Sequence, residues 1–106
     1  MKTNRRILVV DDNIDYCEGI IDFLEMEGFD AKGVHDGFKA LETIEEEEFD
    51  MVLMDVRMPG MDGVETFQKL KKISPNTPTI LMTAFAVESR IKEALRSGVF
   101  GAFQKP

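Results

Sequence analysis

The sequence predicts an α/β fold in which a doubly wound parallel sheet of five strands is covered by helices. Short apolar runs typical of buried strands alternate along the chain with longer stretches of helical spacing. When strands and helices alternate in this way, each connection between two strands contains a helix. Such connections favour parallel strands joined in a right-handed sense. The 106 residues suit one domain, and 43% hydrophobic residues with only 4 Pro is typical of a globular chain.

The strands are predicted from apolar runs that end at charged, Gly or Pro residues. The runs at 7–10 and 51–54 have no polar interruption, which suits central strands buried on both faces. A weaker candidate at 30–34 ends before Asp36-Gly37. The last two strands are predicted at 79–82, after Pro78, and at 101–104, before Lys105.

Four helices are predicted between the strands from apolar residues spaced three or four apart. The inward stripes are Ile14, Cys17, Ile20, Ile21, Phe23 and Leu24; Phe38, Leu41 and Ile44; Val64, Phe67, Leu70 and Ile73; and Ile91, Ala94 and Leu95. Asp36 is available to cap the second helix, and Asp62 with Glu65 forms a capping box for the third. Gly28 and Gly98 are the expected stops, and the acidic run 45–48 is expected to fray because it opposes the helix dipole.

Charge and cysteine content exclude several functional classes. A net charge of −7 argues against direct nucleic-acid binding by this domain. A single cysteine, Cys17, can form no internal disulfide, so the reducing cytoplasm is the expected location. The apolar run at 7–10 is too short for a signal peptide or a membrane span, so no membrane association is expected.

Polar residues follow four of the predicted strands at the point where each strand ends. Asp11 and Asp12 follow the first strand, Asp55 the third, Thr83 the fourth and Lys105 the fifth. The carboxyl ends of parallel strands meet at one edge, where α/β sheets bind ligands. Three converging carboxylates repel each other, and a hard, oxygen-seeking cation such as Mg²⁺ relieves that repulsion. Singly, each residue is as well explained as a helix cap, a turn residue or a solvated charge, but together they suit phosphoryl transfer to a carboxylate.

These motifs resemble the receiver domain of two-component response regulators. The resemblance is carried by residues 7–13, by Asp55 followed by Met58-Pro59-Gly60-Met61-Asp62-Gly63, by Thr83-Ala84 and by Lys105-Pro106. It covers nearly the whole chain, so residues 1–106 are expected to form one receiver domain. It implies a flavodoxin-like sheet in the order 2-1-3-4-5, without the fifth helix that receivers normally have, because the sequence stops at Pro106. That ending predicts that the natural chain continues, or that another copy covers the bare face of the sheet.

The resemblance also implies the roles of the site residues. Asp55 would be the phosphoacceptor, while Mg²⁺ would be held by Asp12, Asp55 and the backbone carbonyl of Arg57, with Asp11 binding directly or through water. Thr83 and Lys105 would contact the phosphoryl group, and small Ala84 would leave room for it. The implied phosphoryl donor is a sensor histidine kinase or a histidine phosphotransfer protein. A C-terminal effector domain and a second copy of the chain are further partners that the resemblance allows.

The sequence departs from the family pattern near the site, and two other functions stay open. Ala102 stands where the family often has a switching aromatic residue, and Arg57 and Phe85 flank the acceptor, which predicts slow loss of the phosphoryl group.

One alternative is a metal-dependent phosphatase with Asp55 as nucleophile, although Arg57 stands where such enzymes have an acid. The other alternative is an interaction module without chemistry. A dinucleotide site is excluded, because no Gly-rich loop follows the first strand.

Overall fold

The computed structural model describes residues 5–84 and 88–105. Strands and helices alternate as the sequence predicts, and the predicted strand positions agree with the structure to within one residue. The elements are β1 (Arg6–Val10), α1 (Ile14–Met26), β2 (Asp30–Val34), α2 (Gly37–Glu46), β3 (Met51–Asp55), α3 (Gly63–Ile73), β4 (Thr79–Thr83), α4 (Glu88–Arg96) and β5 (Gly101–Gln104). None of the helices within the described residues is long and apolar enough to cross a membrane.

The five strands form one sheet in the order β2-β1-β3-β4-β5, and every neighbouring pair is parallel. This is the flavodoxin-like order that the family resemblance implies, here with four helices among the described residues. β1 and β3 lie at the centre, which explains their unbroken apolar sequences. Because all the strands run the same way, the carboxyl ends of β1, β3, β4 and β5 lie along one edge.

The core has two layers, one on each face of the sheet. Along β1, Leu8 and Val10 belong to the larger apolar cluster, whereas Ile7 and Val9 belong to the smaller one. The larger cluster includes residues from α2, α3 and α4: Ala40, Ile44, Val64, Phe67, Leu70 and Ala94. The smaller one is covered by α1, through Tyr16, Cys17, Ile20, Ile21 and Leu24. Among the described residues, one helix therefore covers one face and three helices cover the other.

The helix ends confirm the predicted caps at Asp36 and Asp62, and Asn13 is the cap of α1. The first three helices each begin at a side chain that accepts a backbone N–H: Asn13 from Tyr16, Asp36 from Lys39 and Asp62 from Glu65. Gly28 and Gly98 follow helices with φ of 95° and 100°, a conformation that glycine adopts without strain. The predicted fraying of the acidic run is wrong for its first half, since α2 continues through Glu46. Glu47 then accepts hydrogen bonds from Arg6 and Lys32, which compensate its charge.

Some apolar residues that were predicted to face the core are exposed. These are Ile14, Phe23, Phe38, Ile73 and Leu95. The reason is geometric, because helical spacing identifies an apolar stripe but not the width of the sheet beneath it. On the α1 face the sheet extends beyond the helix, which leaves a groove of about 550 Å³ between α1, Leu53 and Phe103. Phe23 lines this groove instead of packing into a closed core.

Candidate functional site

Asp11 and Asp12 are placed by the turn that joins β1 to α1. Asp11 is completely buried, and its backbone N–H donates to the carbonyl of Val34 at 3.1 Å, which extends the pairing of β1 with β2. Its Oδ1 accepts the backbone N–H of Asn13 at 2.9 Å. Asp12 is exposed. One carboxylate is therefore fixed in the interior, while its neighbour faces the solvent at the mouth of the site.

Asp55 is the last residue of β3, and it is 6% exposed. The chain directly after it is fixed by two backbone hydrogen bonds, from Val56 N–H to the Met82 carbonyl at 2.9 Å and from Gly63 N–H to the Val56 carbonyl at 2.7 Å. Gly63 lies so close that an added Cβ would be 2.1 Å from the Asp55 carbonyl oxygen. The absence of a side chain at Gly63 is what lets the loop fold back onto the end of β3.

The three carboxylates come together as the sequence predicts. Asp11, Asp12 and Asp55 each contribute a carboxylate oxygen to a set whose members all lie within 4.8 Å of one another. Lys105 Nζ lies 2.8 Å from Oδ2 of Asp11 and 3.5 Å from Oδ2 of Asp55. One ammonium cannot neutralise three carboxylates, so the cluster has the donor chemistry and the excess charge that suit a hard divalent cation.

The burial and the charges of this cluster change the pKa of Asp55. Burial, and after it the negative charge of Asp11, raises the pKa of its carboxyl from 3.8 to about 6. Lys105 offsets part of it. Burial acts to lower the pKa of the Lys105 ammonium, but its contacts with Asp11 and Asp55 outweigh burial, and its pKa lies above the ordinary value. Lys105 is therefore a permanent cation, whereas Asp55 holds its charge weakly.

The other predicted residues lie around this centre. Thr83 is buried at the end of β4, and its carbonyl accepts the backbone N–H of Lys105 at 2.7 Å. Ala84 follows it and is exposed. Arg57 is exposed in the loop after Asp55, and Ala102 is exposed on β5. Phe85 and Pro106, which the sequence analysis also singled out, lie outside the described residues.

Two residues contribute to the site in ways that the sequence did not predict. The first is Gly63, whose close approach to Asp55 only the three-dimensional loop shows. The second is Tyr16, because the Lys105 ammonium lies 4.4 Å from the centre of its ring. Tyr16 stands four residues before Ile20 on the apolar side of α1, and that spacing was the available signal. It points to a half-buried aromatic residue in the first turn after the two acids.

Comparison with known proteins gives a family match over nearly the whole chain. The model of the response regulator receiver domain matches residues 7–106. The transcriptional regulatory protein ZraR of Escherichia coli K12 is 39% identical over 103 residues, which cover 97% of this chain but only 23% of that protein. Sporulation initiation phosphotransferase F of Bacillus subtilis is 34% identical, with 97% of this chain and 83% of that protein covered.

Solved structures with the same fold are also response regulator receiver proteins. A CheY-like response regulator receiver domain protein from Methanospirillum hungatei has a TM-score of 0.94 and 30% identity, covering 98% of this chain and 83% of that one. CheY in a complex with CheX, BeF₃ and Mg²⁺ from Borrelia burgdorferi has a TM-score of 0.89 and 26% identity, covering 96% and 78% of the two chains.

Proposed function

This chain belongs to the response regulator receiver domain family, and from that premise we propose that Asp55 is its phosphoacceptor. The phosphoryl donor is the phosphohistidine of a sensor histidine kinase or of a histidine phosphotransfer protein. The observation that carries the proposal is the position of Asp55 at the end of a buried central strand, with two further carboxylates within 4.8 Å and Lys105 at 3.5 Å. The name of the Bacillus relative, a phosphotransferase, supports phosphoryl transfer between proteins.

The transfer needs only one bond to form and one to break. A carboxylate oxygen of Asp55 forms a P–O bond as the P–N bond of the phosphohistidine breaks, and the electron pair of that bond returns to the imidazole nitrogen. Lys105 is placed to meet the oxygens of the transferred group, since its ammonium already contacts Asp55 and Asp11. Stabilising charge that develops in the transition state is the main contribution a protein makes to this reaction.

Thr83 and Ala84 are the residues of β4 and of the chain directly after it that would adjoin the transferred group. Thr83 ends β4 next to Lys105, where its hydroxyl can meet a phosphoryl oxygen. Ala84 has only a methyl group, which leaves space beside the acceptor. The two residues immediately precede the segment that leads to α4, so a shift of Thr83 toward the phosphoryl group would be passed to that segment.

The acidic cluster fits a Mg²⁺ site made of Asp11, Asp12 and Asp55 with the backbone carbonyl of Arg57. All of these donors are oxygen, which is the ligand type that Mg²⁺ prefers. When bound, Mg²⁺ would neutralise the carboxylates and the oxygens of the phosphoryl group. The Borrelia CheY complex, which contains Mg²⁺ and BeF₃, supports this assignment.

The domain is a signalling switch that promotes its own phosphorylation and slow dephosphorylation, and it does not turn over a small substrate. Residues 1–106 form the receiver domain, and its place is the cytoplasm. The chain spans less than a quarter of the length of the ZraR proteins, which supports an effector domain on the C-terminal side. Neither nucleic acid nor membrane is a direct partner of the receiver domain itself, whose charge is −7.

The test is incubation with acetyl phosphate and Mg²⁺, followed by intact mass and by phosphate release. A single stable phosphoryl adduct on the wild type that is absent from Asp55→Asn supports the proposal. Asp22→Asn, an exposed acid on α1, is the matched control and should be phosphorylated like the wild type. Equal adduct on Asp55→Asn would place the acceptor elsewhere. Rapid turnover of small phosphate monoesters would indicate a phosphatase, and no adduct on any variant would indicate an interaction module.

A further inference from the structure

Lys105 enters the site from the most weakly covered strand of the sheet. β5 is at the edge, and Ala102, Phe103 and Gln104 are all exposed. The Lys105 side chain itself is only 11% exposed and reaches across to Asp11. A long, flexible side chain on an edge strand needs a further contact to stay in one position, because ordering it costs conformational entropy.

That further contact is the ring of Tyr16. The Lys105 ammonium lies 4.4 Å from the ring centre, within the distance of about 6 Å at which an aromatic face attracts a cation. The backbone of Tyr16 is tied to the acidic turn, because the Tyr16 backbone N–H donates to Oδ1 of Asn13 at 3.1 Å. Asn13 in turn donates its own backbone N–H to Oδ1 of Asp11 at 2.9 Å. The contacts thus form a closed circuit that runs through Asp11, Asn13, Tyr16 and Lys105 and returns to Asp11.

We propose that Tyr16 is a positioning residue that holds the Lys105 ammonium against the phosphorylation site. Asp11 alone does not fix the position of the ammonium, because Asp11 also belongs to the acidic cluster and its charge is shared with whatever cation that cluster binds. The ring is neutral, so its attraction for the ammonium does not depend on which carboxylate or phosphoryl oxygen the ammonium faces. This inference rests on the proposed function, because it concerns the rate at which Asp55 is phosphorylated.

The role depends on the aromatic face and not on the hydroxyl group. Tyr16→Phe should therefore be phosphorylated by acetyl phosphate within about twofold of the wild-type rate. Tyr16→Leu keeps an apolar side chain but loses the face, and it should be about three- to tenfold slower. Leu24→Ala is the control for general loosening of α1, because it removes a packing side chain two turns further along the helix. Its rate should match that of the wild type.

A spectroscopic readout separates positioning from packing. The ring should shift the Lys105 ε-methylene proton resonances upfield in the wild type and in Tyr16→Phe, and Tyr16→Leu should lose that shift. Tyr16 is also the single tyrosine of a chain without tryptophan, so its fluorescence should change when BeF₃⁻ and Mg²⁺ bind at the acids that the ammonium contacts. Both signals can be recorded on the wild type, and they decide the question even where Tyr16→Leu does not fold.

The outcomes distinguish this inference from the function on which it rests. A wild type that is phosphorylated, together with an equally fast Tyr16→Leu or an equally slowed Leu24→Ala, overturns the role of Tyr16 and leaves Asp55 as the acceptor. An unshifted Lys105 methylene signal in the wild type overturns it as well. A wild type that takes up no phosphoryl group overturns the proposed function and the positioning role together. A slower Tyr16→Leu, with normal rates in Tyr16→Phe and Leu24→Ala, supports the inference.

Discussion

Replacing Asp55 by Asn should stabilise the protein in the absence of divalent cations. Asp55 is 6% exposed and its carboxyl group lies beside the charge of Asp11, and both effects disfavour its ionised form. Asn keeps the size of the side chain and removes the charge. Lys105 is not left without a partner, because its closer contact is with Asp11 at 2.8 Å.

The magnitude follows from the pKa of Asp55. Burial and the charge of Asp11, partly offset by Lys105, raise this pKa from 3.8 to about 6, and each pKa unit corresponds to about 1.4 kcal/mol of free energy. The ionised carboxylate therefore costs the folded state up to about 3 kcal/mol near neutral pH. Since Asn must still find hydrogen-bond partners in the same place, we expect a gain of about 1–3 kcal/mol in the free energy of unfolding.

The stability difference between Asp55→Asn and the wild type should depend on pH. The unfolded Asp55 loses its proton near pH 3.8, whereas the folded one keeps it until about pH 6. Between these two pH values the unfolded state binds fewer protons than the folded state, so the free energy of unfolding of the wild type falls as the pH rises. Below the interval Asp55 is protonated in both states, and the advantage of Asp55→Asn over the wild type should shrink to its smallest value. Urea unfolding with EDTA, at several pH values between 3.5 and 7.5, measures the difference.

Asp22→Asn serves as the control, since exposed acids away from ion pairs change stability by less than about 0.5 kcal/mol. A destabilised Asp55→Asn at neutral pH would refute the reasoning. So would a stabilisation that stays constant across the pH range, because that would show that charge burial is not its cause.

Two further predictions concern residues around the site. Gly63→Ala should lower the free energy of unfolding by about 3 kcal/mol, because the added Cβ would meet the backbone of Asp55 at 2.1 Å. Gly19→Ala, in the middle of α1 with no atom within 4 Å of the added Cβ, should raise it by about 1 kcal/mol; similar urea midpoints for the two variants would contradict this. Burial and the charge of Asp11 raise the pKa of the Cys17 thiol to about 11. A disulfide reagent near pH 8, where only about one such thiol in a thousand is ionised, should therefore label Cys17 only after unfolding; labelling of the folded protein at the rate of a free thiol would contradict it.

The sequence was sufficient to predict the strands, the helices and the meeting of the acids, because each depends on short-range patterns. Apolar runs and caps are local, and a parallel sheet brings all its strand ends to one edge. The strand order came from the family resemblance, since periodicity does not say which strands are neighbours. The contact of Tyr16 with Lys105 was not predictable, because it joins opposite ends of the chain. Nor was the exposure of Phe23 and Phe38, which depends on how far the sheet extends beneath each helix.

The two halves of the site differ in how firmly the fold holds them. Asp55 ends the central strand β3 and Asp11 directly follows the central strand β1. Both strands have buried neighbours on both faces, so these acids can move little without disturbing the core. Lys105 comes from an exposed edge strand, and α4 buries Ala94 as its one fully buried residue among those described. The ion pair between Arg90 and Asp62, which joins α4 to α3, is partly exposed and stabilises the helix by at most about 1 kcal/mol. A phosphoryl group on Asp55 would therefore meet firmly held acids on one side and lightly held groups on the other, and we expect the structure to respond at α4 and β5.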